Sequence, residues 1–231
     1  MDPREKLIIA LDVPTAAAAR KIVAAVGDPS LTCKVGLQLY TAEGPQVVRD
    51  LVSSGRKVFL DLKYHDIPNT VALAVKEAAG LGVAMLNVHA LGGSKMLRAA
   101  VESARSVNPD VKVLAVTVLT SMDEPELRKV GVPGPVLDEV LRLAALALAE
   151  GCDGLVASAQ EAAALRRKLG QDFVIVTPGV RPAGASHGDQ ARVVTPSEAM
   201  LAGATHVVVG RPILEAADPG QAAREILAEM G

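Results

Sequence analysis

The stretch Val58-Phe59-Leu60-Asp61-Leu62-Lys63 is a short apolar run that ends in charged residues. Continuous apolar runs of this length are typical of strands covered on both faces, as in parallel sheets. Similar runs recur along the whole chain. They cover residues 7–13, 31–37, 57–63, 85–90, 112–119, 154–158, 173–178 and 206–210. The pattern therefore predicts eight buried strands.

Between these runs lie Ala-, Leu-, Glu- and Arg-rich segments with helical spacing, the first of them preceded by a possible cap at Thr15. Alternating strands and helices predict a parallel sheet. Eight units in 231 residues favour an α/β fold of the closed (β/α)8 TIM barrel type. The first strand lacks the G-x-G-x-x-G turn that an open dinucleotide-binding sheet would show. No linker interrupts the pattern, so we expect one domain over residues 1–231.

The composition excludes several classes of protein. Half of the residues are hydrophobic, which excludes disorder, and the net charge is only −2. Aromatic residues make up 2% of the chain, so a nucleic-acid groove with basic charge and stacking platforms is not expected. The two cysteines form no C-x-x-C pair, which leaves zinc and redox motifs unsupported. With neither a signal-peptide pattern nor a membrane-length apolar stretch, we expect a cytoplasmic protein without membrane contact.

Polar residues follow the apolar core of most predicted strands. In a (β/α)8 barrel the carboxyl ends of the strands form the face that carries the active site. A single charge there is often only solvated at the rim, but several strands sharing this feature indicate a site. These residues are Asp12, Lys34, Asp61, Lys63, His89, Thr117, Thr120 and Arg211.

The third strand gives the sharpest expectation. Strand alternation places Asp61 and Lys63 on one face and the neighbouring leucines on the other, so the charged pair points into the barrel mouth. A buried ion pair adds little stability, which makes a purely structural role unattractive. With Lys34 on the next strand and Asp66 nearby, two carboxylates and two ammonium groups are expected to alternate. Such a network would hold Lys63 ready as a proton donor.

Two segments suggest a phosphate ligand. Strand eight ends in Gly210-Arg211, which offers close backbone approach, a fork of donors and a following helix start. The region after strands seven and eight is the usual phosphate site of this barrel, although a glycine turn with a solvated arginine stays an alternative. The glycine-containing loop over residues 179–190 has the length of a lid or binding loop.

Taken together, the motifs resemble one known family. The stretch from Asp61 to Thr70 reproduces the signature D-x-K-x-x-D-I-P-x-T of the orotidine 5′-phosphate decarboxylase family. The resemblance covers the whole chain. It includes Ala10-Leu11-Asp12-Val13, Lys34-Val35-Gly36, Asn87-Val88-His89-Ala90, Leu119-Thr120-Ser121, Pro178-Gly179-Val180-Arg181-Pro182, Gly188-Asp189-Gln190-Ala191-Arg192 and Val209-Gly210-Arg211-Pro212-Ile213.

The resemblance implies decarboxylation of orotidine 5′-monophosphate (OMP) to uridine 5′-monophosphate (UMP) and CO2, the final step of de novo UMP biosynthesis. It implies a homodimer with shared sites and no metal or organic cofactor. By this resemblance the catalytic residues are Lys63, the proton donor to C6, with Asp61, Lys34 and Asp66. The substrate-binding residues are Asp12, Thr70, His89, Thr120, Ser121, Arg181, Gln190, Gly210 and Arg211, with Asp66 and Thr70 reaching the partner's site.

Three alternatives remain open at this point. A related branch, the hexulose-phosphate synthases and keto-gulonate-phosphate decarboxylases, shares the D-x-K-x-x-D core but resembles Mg²⁺-dependent enzymes with a Glu where this chain has Lys34. An ammonium group is a poor neighbour for a cation that takes oxygen ligands. A non-catalytic phosphate-binding barrel would not need four alternating charges. A Schiff-base lysine is disfavoured because nearby carboxylates keep an amine protonated.

Overall fold

Eight parallel strands hydrogen-bond in sequence order, and β8 pairs with β1 to close a barrel. The structure is a computed structural model that describes residues 3–182 and 194–231. The strands are β1 Leu7–Ala10, β2 Thr32–Gly36, β3 Val58–Tyr64, β4 Met85–His89, β5 Lys112–Val116, β6 Gly154–Val156, β7 Val174–Thr177 and β8 His206–Val209. This arrangement confirms the predicted (β/α)8 TIM barrel.

Helices alternate with the strands and cover the outside of the barrel. They are α1 Ala16–Val26, α2 Leu37–Glu43, α3 Gln46–Ser53, α4 Pro68–Gly80, α5 Gly93–Val107, α6 Glu124–Lys129, α7 Val136–Ala149, α8 Ala159–Leu169, α9 Pro196–Leu201, α10 Arg211–Leu214 and α11 Pro219–Glu229. Thr15 caps α1 as predicted, since its hydroxyl accepts a hydrogen bond from the Ala18 N–H. Within the described ranges, no helix has the length and apolar character needed to cross a membrane.

Alternate residues of the strands divide the apolar core into two layers. The inner layer fills the barrel and consists of Ile8, Ala10, Phe59, Met85, Leu114, Val176 and Val208, with Val156 and Val174 partly buried against it. The outer layer, between strands and helices, is much larger and includes both free cysteines, Cys33 and Cys152. Since the inner layer plugs the barrel, the open ends of the strands are left to carry the site.

Seven of the eight strands end one to three residues before their predicted carboxyl ends, whereas β3 continues one residue further, to Tyr64. The first prediction ran to Val13 and the strand ends at Ala10, while the fifth ran to Leu119 and the strand ends at Val116. The difference has a physical reason, because residues past the last ladder pair turn outward to begin the βα loops. The polar residues expected at strand ends therefore lie partly on loops.

Candidate active site

Four charged side chains, from β2, β3 and the loop after β1, form one continuous network. Asp61 Oδ1 lies 2.6 Å from Lys63 Nζ, and Asp61 Oδ2 lies 3.3 Å from Lys34 Nζ. Lys34 Nζ in turn lies 2.9 Å from Asp12 Oδ1. Carboxylate and ammonium groups thus alternate in the order Asp12, Lys34, Asp61, Lys63. Opposite charges therefore alternate along the network, and the Lys34 and Lys63 ammonium groups favour the ionised form of Asp61 between them.

The end of β3 departs from a regular strand where it carries Lys63. The register between β3 and β4 shifts between Leu60 and Tyr64. Lys63 has φ 51° and, among the residues that the structure describes, is the one non-glycine residue with a positive φ. Such a bulge re-aims a side chain, and a left-handed conformation at lysine persists only where the surroundings hold it. The predicted pair of Asp61 and Lys63 is present, but at Lys63 the bulge, rather than simple alternation, directs the side chain.

Asp61 stays ionised although it is buried. Burial is the largest influence on its pKa and acts to raise it. The ammonium groups of Lys34 and Lys63, together with hydrogen bonds from Lys63 and Asn87, act in the opposite direction and lower the pKa below its usual value. The centre of the network is therefore a carboxylate held in its charged form.

A cavity of about 200 Å³ lies directly above the inner core layer. Its polar side consists of Lys34, Asp61 and Lys63, while Thr120 lies on its rim. The rest of its wall is apolar. These apolar residues are Phe59, Val116, Val118, Leu119, Val156, Ala157, Pro178 and Val208. The cavity thus places a charged network against one side of a small hydrophobic chamber.

A second, more open cavity of about 520 Å³ shares Lys34 and Asp61 with the first. It is also lined by Arg181, Gly210 and Arg211. Arg181 is buried, and its Nη1 donates a 3.1 Å hydrogen bond to the Val180 carbonyl oxygen. Two arginines therefore line the same cleft as part of the charged network.

Asp66, Thr70 and Ser121 do not join the network within one chain. All three are exposed, and the Asp66 carboxylate accepts a hydrogen bond from the neighbouring Ile67 N–H at 2.6 Å. Within one chain, Asp12 rather than Asp66 lies beside Lys34. The expectation that Asp66 joins the network, by reaching the partner's site, stays a prediction. Among the described residues, Ser121 lines neither cavity, whereas Thr120 lines the first one.

His89 lies at the end of β4, where its ring stacks on His65 with centroids 5.3 Å apart. Burial, followed by the charges of His65 and Lys63, lowers the pKa of His89 to about 4. Its Nδ1 is buried and has no hydrogen-bond partner among the described residues. The imidazole is therefore neutral near neutral pH, and its ring packs beside the network rather than lining either cavity.

Two polar residues at the strand ends need separate comment. Thr117, expected at the site, turns away from both cavities, and its hydroxyl donates to the Val156 carbonyl oxygen at 3.3 Å. Asn87, to which sequence reasoning gave no role, contacts both Asp61 and Lys63. The sequence feature that could have identified Asn87 is a lone amide within the apolar strand β4, because a buried amide needs hydrogen-bond partners. Gln190 lies outside the described residues.

The donor set around the network is poorly suited to a metal ion. Among residues 3–182 and 194–231, no group of three or more His, Cys, Asp or Glu side chains is arranged to hold one. The two carboxylates that approach each other, Asp12 and Asp61, have the Lys34 ammonium between them. A divalent cation shared by these acids would meet a positive charge at that position.

Residues 5–226 match the family described as "Orotidine 5'-phosphate decarboxylase / HUMPS family". The chain is 54% identical over 228 residues to the orotidine 5'-phosphate decarboxylase of Anaeromyxobacter dehalogenans, covering 99% of each protein. It is 48% identical over 231 residues to that of Hydrogenovibrio crunogenus, covering 100% of this chain and 98% of the relative. The crystal structure of orotidine 5'-phosphate decarboxylase from Lactobacillus acidophilus matches with a TM-score of 0.88 and 40% identity, covering 97% of this chain and 98% of that one. The chain therefore belongs to the orotidine 5′-phosphate decarboxylase family.

Proposed function

We propose that this enzyme decarboxylates OMP to UMP and CO2, with Lys63 as the proton donor to C6 and without a metal or organic cofactor. The observation that carries the proposal is the Asp61 carboxylate held between two ammonium groups, at 2.6 Å and 3.3 Å, on the floor of an apolar cavity. An ion pair in such a place is costly for stability, which favours a role in chemistry.

The reaction needs this kind of environment. When the bond from C6 to the carboxylate breaks, CO2 leaves and the electron pair stays on C6, in the plane of the pyrimidine ring. The ring π system offers that pair little delocalisation, so fixed charge must stabilise it. The Lys63 ammonium supplies such charge and then transfers its proton to C6 as general acid. Solvent returns a proton to the lysine after product release.

Asp61 has a different role in this scheme. With C6 near Lys63 Nζ, the substrate carboxylate lies towards Asp61, which is already negative. Two adjacent carboxylates repel each other, and the repulsion is relieved as CO2 leaves. Lys34 contacts both Asp12 and Asp61 and holds the two aspartates in place.

The two cavities suit the two ends of a nucleotide. The smaller cavity has aliphatic walls and the Thr120 side chain for a pyrimidine ring. The larger one leads past Asp12, a candidate ribose contact, to Arg181 and Arg211. Guanidinium groups bind phosphate through paired donors, and binding energy from a remote phosphate can lower the barrier at C6. Gln190, which is outside the described residues, is proposed as a further phosphate contact.

We also propose a homodimer in which each chain completes its partner's site. Thr70 and Leu73, three residues apart, are exposed on the first turns of α4, while Asp66 and the 67% exposed Ile67 lie just before the helix. Exposed aliphatic side chains next to polar ones that do not contact the charged network support burial against a second copy. His89 and Ser121 are proposed as substrate contacts at the same rim.

The expectation of a cytoplasmic enzyme that binds neither nucleic acid nor membrane remains part of this proposal. It rests on the near-neutral charge and the 2% aromatic content. A small nucleotide is the ligand that the two cavities support.

The test is incubation of the purified enzyme with OMP and EDTA while the absorbance change on conversion to UMP is followed. We expect full turnover in the presence of the chelator. Loss of activity that Mg²⁺ restores would favour the metal-dependent branch of the family instead. Binding of OMP without any conversion would favour the non-catalytic barrel.

A further inference from the structure

Asn87 is a completely buried polar side chain within the apolar strand β4. Both ends of its carboxamide bond to β3. Nδ2 donates to Asp61 Oδ1 at 2.7 Å, and Oδ1 accepts from the Lys63 backbone N–H at 2.8 Å. The orientation of the amide is fixed by these partners, because an ionised carboxylate only accepts and an N–H only donates. A single side chain thus contacts the Asp61 carboxylate and the backbone of Lys63, two adjacent members of the charged network.

We propose that Asn87 is a positioning residue for the reaction, which holds the Lys63 backbone in its left-handed conformation and fixes the Asp61 carboxylate. The inference rests on the proposed decarboxylation and deepens it. Asn87 lines neither cavity in the described part of the chain and so acts through Asp61 and Lys63 rather than on the substrate.

The backbone of Lys63 needs such support. The ladder between β3 and β4 is interrupted between Leu60 and Tyr64, so the Lys63 N–H lies where regular strand pairing is lost. The Asn87 oxygen replaces the missing ladder acceptor. It also stabilises a conformation, φ 51°, that costs a non-glycine residue free energy. Loss of this hydrogen bond therefore destabilises the bulge that directs the Lys63 ammonium group.

The Asp61 carboxylate needs an additional donor for a different reason. Its Oδ1 receives both Lys63 Nζ at 2.6 Å and Asn87 Nδ2 at 2.7 Å, while Oδ2 faces Lys34. The Asn87 amide sets the rotation of the carboxylate without adding charge. When the Lys63 proton moves to C6, this neutral donor remains in place. The hydrogen bond from Asn87 also contributes to the lowered pKa of Asp61.

The experiment compares Asn87→Ala and Asn87→Asp with the control Asn108→Ala. Asn108 is a suitable control because its side chain makes a local hydrogen bond to the Asp110 N–H at the exposed end of α5. The Asn87→Asp side chain keeps an acceptor for the Lys63 N–H but no longer donates to Asp61 when ionised. We expect kcat to fall about 10- to 100-fold in both Asn87 variants, since small misplacements of reacting groups cost this much. The dissociation constant for UMP should stay within about threefold, because phosphate and ribose contacts are untouched.

A readout independent of turnover separates positioning from packing. The ¹³C resonance of the Asp61 carboxylate, assigned with Asp61→Asn, should titrate at higher pH in Asn87→Ala than in the parent enzyme. In Asn87→Asp, repulsion between two close carboxylates should raise the second, higher apparent pKa of the pair further. An unshifted titration in correctly folded variants, or a kcat loss matched by the unfolded fraction, would overturn the positioning role. Absence of turnover in the parent enzyme would instead refute the proposed decarboxylation, while the titration would still decide the role of Asn87.

Discussion

Oδ1 of Asp61 lies 2.6 Å from Nζ of Lys63, although a single residue separates the two in sequence. This contact is local, whereas Lys34 reaches the same carboxylate from the neighbouring strand β2. The local pair depends on the bulge of β3, and the long-range contact depends on the pairing of β2 with β3. Substitutions at the site can therefore disturb the chemistry either directly or through the geometry of β3.

Replacing Lys63 by alanine should abolish turnover and leave the fold intact. In the proposed mechanism, the variant loses both the charge that stabilises the C6 carbanion and the proton that it receives, so we expect kcat to fall at least about 1,000-fold. Steady-state kinetics and circular dichroism measure the two effects. The control Lys168→Ala removes an exposed lysine from α8 and should behave like the parent enzyme. Substantial residual activity in Lys63→Ala would refute the assigned role.

Replacing Arg211 by alanine should chiefly raise KM. Arg211 lines the larger cavity, whose lining does not include Lys63, and its guanidinium is proposed to bind the phosphate. Loss of one charged hydrogen-bond donor to a phosphate should raise KM by about 10- to 100-fold. The matched control is Arg167→Ala, which changes an exposed arginine of α8. An unchanged KM for OMP would remove Arg211 from the phosphate site.

Gly36→Ala should lower activity while costing little stability. A Cβ at this position would lie 2.9 Å from Lys34 Nζ and 3.1 Å from Asp12 Oδ1. The backbone at Gly36 has φ −101°, which alanine adopts readily, so the flexible lysine tip moves instead of the fold. We expect kcat to fall about tenfold or more as Lys34 leaves the network. Gly80→Ala in α4, where a Cβ meets nothing closer than 4.0 Å, is the control. Parent-like kinetics in Gly36→Ala would show that the Lys34 position is not critical.

The stability of the fold should decrease as the pH falls from about 6.5 to about 4, partly through His206. Burial is the main cause that lowers the pKa of this histidine to about 4 from 6.5. The unfolded chain then binds more protons than the folded one across this range, so the free energy of unfolding rises with pH. The shift corresponds to at most about 3 kcal/mol. Chemical denaturation at several pH values should give a flatter profile for His206→Asn, and an equally steep profile would exclude His206 as a source.

Ile67→Asp should convert the proposed dimer into monomers and reduce activity. A charge introduced on an exposed apolar residue opposes burial against a second chain without disturbing the monomer core. Sedimentation analysis and activity measured against protein concentration test this. The control Leu201→Asp alters a leucine that is 85% exposed on α9. A monomeric parent enzyme with full activity would refute the shared-site proposal.

The strands could be predicted because their apolar runs are continuous, and the site because polar residues recur at their ends. The contact of Asp12 with Lys34 was not predictable from spacing alone, since it depends on how β1 and β2 align in the closed barrel. The role of Asn87 was hidden for the same reason, because the bulge that exposes the Lys63 N–H is a property of the paired strands. The proposed place of Asp66 depends on how two chains pack together, and spacing within one sequence does not specify that packing.

The two faces of the first cavity come from different parts of the chain. Its charged side is built by β2 and β3, and most of its apolar wall by residues 116–208. In the proposed mechanism, the reaction chemistry and the recognition of the ring are thus carried by separate stretches of sequence. Substitutions in the later strands can reshape the accepted base without touching the charges that act on it. A library of variants confined to the later strands should therefore change which base is accepted and leave the charged side chains of β2 and β3 intact.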